Sequence, residues 1–300
     1  MLKTIEDIFS VAKAKGGKKR LVVCNASDHH ALEAALRAFE MGIATPILVG
    51  DEKEIKAAAD DIRMATNGVE VVHCDDVEQT IETSVRLVSS HQGDILMKGG
   101  VTTPQIMKGV LNKEWGLRTP RLISHFAMFQ IPAYHKLLVL TDAAMNIAPT
   151  LEEKAVIVQN TVDFIRNLGV ERPKVAALAA IEQVNPKMPA TVEADALKRM
   201  NAEGKITGCV VDGPLSFDLA VSEESKRDKH FAGEVAGDAD VLLAPDIEAG
   251  NVLYKSFAFF TDCRMCAVIL GAAAPIVLTS RADSMDAKLS SIALAVGGCE

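Results

Sequence analysis

The sequence has no apolar stretch long enough to cross a membrane. Its longest near-apolar run, Cys266–Leu278, is 13 residues and contains Gly271 and Pro275. A spanning helix needs about 20 apolar residues, so this run reads as strand–turn–strand. The opening MLKTIEDIF carries acids and no apolar core, so no signal peptide is expected. No Gly-x-Gly-x-x-Gly follows the first strand signal, which leaves a dinucleotide-binding domain unsupported. No Gly-x-Ser-x-Gly elbow is present, which does the same for serine hydrolysis. Cys263-Arg-Met-Cys266 is a lone Cys-x-x-Cys, and the second ligand pair that a zinc site needs has no match in the chain. Six cysteines scattered over 300 residues fit reduced thiols in a cytosol better than a disulfide framework. An excess of positive charge is missing as well. The net charge of −8 argues against nucleic acid or an anionic membrane surface as partner, and leaves room for a local basic pocket.

What is present is an ordinary globular composition, 49% apolar and 24% charged. A chain of this length suggests two domains or one large one and can bury roughly 75% of its unfolded surface. Strand and helix signals alternate. Arg20–Cys24, Pro46–Val49, Val69–His73 and Asp94–Met97 read as strands. Asp28–Met41, Glu52–Thr66 and Val77–His91 read as the helices between them. Arg121–Phe129 and Lys136–Asp142 read as an antiparallel extension. After the amphipathic helix Leu151–Leu168 the alternation resumes, with strands Lys174–Ala179, Gly208–Val211, Val241–Ala244, Ala267–Leu270 and Ile276–Leu278. Repeated βα order predicts an α/β fold: two domains, each a parallel-rich sheet flanked by helices, with an interdomain cleft. The expected domains are 1–143 and 144–282, followed by a closing helix over 283–300.

Candidate sites fall where strands end and helices begin, since ligands of open α/β sheets bind there. Around Leu278–Val296, Met285, Leu289, Ile292 and Val296 make one apolar stripe, and Asp283 or Ser284 can cap the helix start. Ser280 and Arg281 then lie just before a helix N-terminus, where free N–H groups and the dipole favour an anion. The guanidinium adds a fork suited to two phosphate oxygens; the alternative is a capped helix with a surface arginine. Lys98-Gly99-Gly-Val-Thr102-Thr103-Pro-Gln105 follows a strand, with Thr103 as N-cap and Pro104 in the first turn. It is either a substrate loop or a plain βα connection. Asp212-Gly213-Pro is either a cleft-lining strand end or a turn. Asp246 is a site residue or a helix cap. Gly250 and Asn251 inside a helical stretch suggest close packing or ligand approach, and Lys255 one turn on is a ligand or a solvated charge. The seven histidines are left out of the mechanism.

Three segments appear in order: DGPLSFD at 212–218, PDIEAGNVLYK at 245–255 and TSRADS at 279–284. With ALRAFEMGIATPILVGDEKEI at 35–55, LMKGGVTTPQIMKGVL at 96–111 and LTDAAMNIAPT at 140–150, the set resembles the phosphate acetyl/butyryltransferase family over nearly the whole chain. TSRADS with Lys288 soon after is more similar to the butyryl branch. The resemblance implies a cytoplasmic acyltransferase moving a butyryl-like group reversibly between coenzyme A and phosphate. Acyl-CoA and phosphate are then the partners and no cofactor is required. Assembly as a homodimer or larger homo-oligomer is expected. The closing helix is expected to return to the first domain, and the Lys98 loop to border the coenzyme A cleft. Arg281 would hold phosphate, and Ser280 would hydrogen-bond the thiolate or the oxyanion. In the acetyl relatives the general-base aspartate falls seven residues after the serine, and here that position is Ala287. Asp286 is one residue short, about 100° around the helix, and is the first choice of base; Asp283 is the second. The rival reading is a metal-dependent hydroxyacid dehydrogenase of similar two-domain architecture, for which Asp212 and Asp246 alone are too few ligands.

Overall fold

Parallel strands covered on both faces need continuous apolar runs, and the helices between them need an N-terminal cap for each group of orphan N–H donors. Both signals fix the architecture seen in a computed structural model, which describes every residue except Met1, Gly16, Ser280, Arg281, Ala282 and Glu300. The chain forms two compact units. One comprises Glu6–Arg121 and Cys266–Glu300, the other Met1–Ile5 and Leu122–Met265.

In the first unit the strands Glu70–His73, Thr45–Gly50, Arg20–Cys24, Ile95–Lys98 and Ile276–Val277 lie side by side in that order, all parallel. Arg264–Leu270, whose last five residues belong to this unit, runs antiparallel to Ile276–Val277. Leu21–Cys24 and Ile95–Met97 are wholly buried. Asp28, Asp51 and Asp76 cap the helices His29–Glu40, Glu52–Asp61 and Val77–Ser89 by accepting N–H bonds from the first turn. The closing helix Met285–Gly298 lies in this unit and packs on His29–Glu40. It is not the one-stripe helix that the spacing of apolar residues suggests: every residue from Ser290 to Gly298 is buried. The alanines, serines and glycines are small enough for neighbours to approach on all sides. Met285 and Leu289, counted into the stripe, stay partly exposed. Ser291 ties the helix to the sheet, its Oγ accepting from Ala267 N at 3.0 Å and donating to Ala287 O at 2.7 Å. The Oγ of Ser290 is buried with no hydrogen-bond partner. Trp115, the single tryptophan, sits in this unit with the Arg86 guanidinium 5.8 Å from its ring centre.

In the second unit Leu138–Thr141, Val241–Leu243, Lys174–Leu178 and Val210–Leu215 are parallel neighbours in that order. Ser124–Gln130 pairs antiparallel with Leu138–Thr141. That pairing explains why the first division falls at Arg121/Leu122, where the sequence suggests 143/144; the second falls at Met265/Cys266, where the sequence suggests 282/283. Leu138–Thr141 hydrogen-bonds to Val241–Leu243, so both strands of the antiparallel pair go with the second sheet. The amino ends of these strands carry a charge cluster around one buried lysine. Lys136, 2% exposed, reaches Asp238 at 2.9 Å and Asp240 at 2.6 Å. Lys174 and His135 reach Asp238 at 2.8 Å each. Burial works against the Asp238 carboxylate, but the bonds from Lys174, Lys136 and His135 outweigh it and hold its pKa well below the usual range.

The two neighbouring serines of the closing helix predict opposite outcomes. Ser291→Ala removes the bond to the half-buried Ala267 N–H and should cost about 0.5–1.5 kcal/mol. Ser290→Ala removes an unsatisfied hydroxyl and should leave stability equal or higher. Denaturant unfolding of the two variants checks this; equal losses would refute the assigned roles.

Candidate active site

The carboxyl ends of the first unit's parallel strands gather three loops on one edge. The register sets Cys24 beside Lys98 and Met97 beside Val277. The loops leaving Arg20–Cys24, Ile95–Lys98 and Ile276–Val277 are therefore neighbours. The middle loop is held tightly. Gly99 N donates to Cys24 O at 2.9 Å and Gly100 N to Asn25 O at 2.8 Å. A Cβ on Gly99 would lie 2.3 Å from Asn25 O, so only glycine fits that approach. Lys98 is 8% exposed, and its Nζ donates to the carbonyls of Gly99 and Val101, both at 3.4 Å. Thr102, not Thr103, is the N-cap of the helix Thr103–Val110, in a reciprocal capping box with Gln105. Thr103 is the first helical residue. The turn with two glycines is one residue shorter than the sequence suggests.

The third loop carries the elbow. Thr279 is buried. Ser280 and Arg281, the two residues on which the sequence reading leans most, lie outside the described residues. The chain is described again from Asp283. Ser284 is the cap that the sequence leaves undecided against Asp283, and accepts from Ala287 N at 3.1 Å. Asp283 is partly exposed, and Asp286 is exposed in the first turn of the closing helix. Lys288, noted in the sequence only as a mark of one family branch, is 3% exposed, and its Nζ donates to the main-chain carbonyl of Asp283. Burial pushes this ammonium's pKa down, and the Asp283 and Asp28 carboxylates pull it part of the way back. No periodicity announces a lysine whose charge is folded inward.

In the second unit Leu138–Thr141 and Val241–Leu243 end side by side. Asp142 follows the first of them, 4% exposed, and sequence reasoning passes over it. Its Oδ1 accepts from Ala144 N at 2.8 Å and Met145 N at 2.9 Å, and its Oδ2 from Asn146 Nδ2 at 2.6 Å. The signal was the Asp-Ala-Ala-Met-Asn spacing inside LTDAAMNIAPT. Asp246 caps the helix Ile247–Phe260 through Ala249 N at 2.8 Å. Gly250 lets that helix press on Asp142, where a Cβ would lie 2.5 Å from the Asp142 carbonyl oxygen. Asn251 donates to Ala143 O at 3.2 Å. Lys255 is exposed, its Nζ 5.4 Å from the centre of the Tyr254 ring. Asp246, Asn251 and Asp142 therefore share one neighbourhood, with Lys255 one turn further along.

Asp212 and Gly213 do not join them. The strand runs on to Leu215, so Asp212 lies within it and not at its end. Asp212 is 5% exposed and bonds Lys198 Nζ at 2.8 Å. This is an ion pair between a strand and the helix Pro189–Ala202, and Gly213 packs against Ala177. The end of the same motif holds polar groups that sequence reasoning missed. Lys229 Nζ lies 2.6 Å from Glu182, 2.9 Å from Asp218 and 3.1 Å from Ser216 Oγ. Bonds from Ser216 first and Lys229 second bring the Asp218 pKa down to about 2. Among the described residues no group of three or more His, Cys, Asp or Glu side chains is arranged to hold a metal ion.

Comparison with known proteins gives a consistent set of matches. The model of the family described as phosphate acetyl/butaryl transferase matches residues 3–84 and 74–296. A phosphate butyryltransferase of Clostridium acetobutylicum is 46% identical over 295 residues, 98% of each chain. A phosphate acetyltransferase of Thermotoga maritima is 41% identical over 97% of this chain and 98% of its own. Among solved structures, a branched-chain phosphotransacylase from Enterococcus faecalis is 35% identical with a TM-score of 0.82. That match covers 94% of this chain and 99% of that one.

The Gly250 contact gives a prediction whose sign opposes helix propensity. Glycine to alanine inside a helix ordinarily gains about 0.5–1 kcal/mol. Gly250→Ala should instead cost about 1–3 kcal/mol, because the added carbon meets backbone that cannot swing aside. Thermal unfolding of the variant decides; a raised Tm would refute the close approach.

Proposed function

The chain belongs to the phosphate acetyl/butyryltransferase family, and we propose that it transfers a short-chain acyl group reversibly between coenzyme A and inorganic phosphate. The observation that carries this is the register Met97–Val277, which makes the loops that leave Lys98 and Val277 start side by side at one strand edge. Two buried lysines, Lys98 and Lys288, sit at that edge, together with two helix N-termini. Positive charge and oriented N–H groups suit a substrate pair that is anionic on both sides.

In the reaction a phosphate oxygen attacks the thioester carbon, the carbon–sulfur bond breaks, and the thiolate takes up the proton that the phosphate loses. Arg281 holds the phosphate oxygens in its planar fork. Ser280 hydrogen-bonds the thiolate or the oxyanion as charge develops. Asp286 carries the proton, with Asp283 as the second choice. Lys98, Gly99, Thr102 and Thr103 line the coenzyme A side. Asp246, Asn251 and Lys255 are the substrate-binding candidates within the second unit. Asp212 and Gly213 are assigned to packing, because Asp212 pairs with Lys198 of the covering helix and Gly213 packs against Ala177 of the neighbouring strand. No cofactor is required for this chemistry. Butyryl-length or branched chains are preferred over acetyl, on the strength of TSRADS with Lys288 following it.

The enzyme works in the cytoplasm as a homodimer or larger homo-oligomer. Its self-association surface is the outer face of the helix Ile247–Phe260. Val252, Phe259 and Phe260 are 67%, 79% and 88% exposed there, and such an apolar face is normally covered. Sedimentation should find an oligomer that Phe259→Ser together with Phe260→Ser dissociates; a monomeric wild type refutes the assignment.

One set of steady-state assays tests the reading. Thiol release from a series of acyl-CoAs should require phosphate and persist in EDTA. It should be graded in chain length, since one methylene is worth about 1–3 kcal/mol. Arg281→Ala should raise the phosphate KM, cost on the order of 2–4 kcal/mol in kcat/KM and leave the acyl-CoA KM nearly unchanged. Release that ignores phosphate refutes the function, and a normal phosphate KM in Arg281→Ala removes that residue from it.

A further inference from the structure

Lys288 is placed where a lysine costs stability. It is the fourth residue of the closing helix, and side chains of a helix lean back toward its N-terminus. Its ammonium therefore lies at the positive end of the dipole, which disfavours a cation. It is also removed from water, being 3% exposed, and desolvation is the leading influence on its titration. Two carboxylates offset part of this. Asp283 precedes the helix cap, and Asp28 caps the neighbouring helix His29–Glu40 by accepting from Ala31 N at 2.9 Å. A methionine would fill the same space without the desolvation cost, and buried ion pairs are commonly replaced by apolar groups at no loss of stability. Stability therefore gives little reason for an amine here. What the amine does supply is a hydrogen bond to the main-chain carbonyl of Asp283, the residue next in the chain after Ala282.

We propose that Lys288 is a positioning residue for the elbow: by holding the Asp283 carbonyl from inside the protein, it fixes where the segment carrying Ser280 and Arg281 enters the closing helix. The bond ties the exit of the elbow to a helix that is buried on nearly every side. Small displacements of the elbow are thereby transmitted to a rigid body and resisted. The consequence for catalysis rests on the phosphate role given to Arg281 above. Loss of the bond should spread the elbow over more conformations and weaken phosphate binding, while the coenzyme A side, built on the Lys98 loop, is spared.

Lys288→Met separates this from a merely structural role. The variant should fold with a Tm equal to or above that of the wild type. Amide hydrogen exchange of peptides covering 278–284 should speed up about tenfold, the loss expected for one hydrogen bond from a charged group. Peptides from the rest of the unit should not change. The phosphate KM should rise about tenfold with the acyl-CoA KM within twofold. Lys288→Gln, which keeps a donor and loses the charge, should fall between and serves equally if the methionine variant does not fold. Unchanged exchange over 278–284, or acceleration spread evenly through the unit, overturns the proposal. Faster local exchange with an unaltered phosphate KM overturns its catalytic half. The exchange experiment needs no substrate, so it stands even if the wild type shows no phosphate-dependent thiol release, a result that would strike the proposed function alone.

Discussion

A pairing of two residues organises the candidate site. Ile276 and Val277 lie alongside Leu96 and Met97, and the Pro275 carbonyl accepts from Leu96 N at 3.2 Å. This short strand brings the last part of the chain back to the first unit. Because the pairing is parallel, both strands release their loops at the same edge. A one-residue slip would turn every side chain of the strand to the other face. The register is secured from behind by the closing helix, which is buried against His29–Glu40 and fastened to the sheet by Ser291.

Charge is arranged on that frame in an uneven way. The chain as a whole is acidic, with a net charge of −8, yet the first unit's edge has Lys98 and Lys288 folded inward beneath its loops. At the second unit's strand ends stand carboxylates: Asp142, which is buried, Asp246, which caps a helix, and Glu182 and Asp218, which share Lys229. An acidic exterior limits unspecific binding to polyanions. A desolvated ammonium, in contrast, acts at short range in a medium that screens it little. The protein can thus be selective for a small anion held at one edge without attracting large ones.

Much of this was legible in residues. Asp28, Asp51, Asp76 and Thr150 all stand where caps should, and each begins a helix. The alternation of strand and helix and the family motifs were likewise readable. What was not readable depended on packing between distant segments. Nothing local says that Leu138–Thr141 pairs with Val241–Leu243, so the boundary between units was drawn too late. Asp212 looked like a strand end because Gly and Pro follow it, although the strand continues through both. Asp142 was hidden because its three hydrogen-bond donors come from a turn whose shape the sequence does not announce. For Ser280 and Arg281 the motif remains the basis of the reading.

The distribution of aromatic chromophores follows the division into units. Trp115, stacked near Arg86, lies in the unit that holds the elbow, whereas the chain's two tyrosines, Tyr134 and Tyr254, both lie in the other. Indole emission excited beyond the phenol band therefore reports on one half of the molecule, and the phenol contribution to near-ultraviolet absorbance, once the indole part is subtracted, on the other. Unfolding followed at the two wavelengths yields coincident curves if the halves melt together and separate curves if they do not. The wild-type chain is its own two-colour gauge of cooperativity, with no label added.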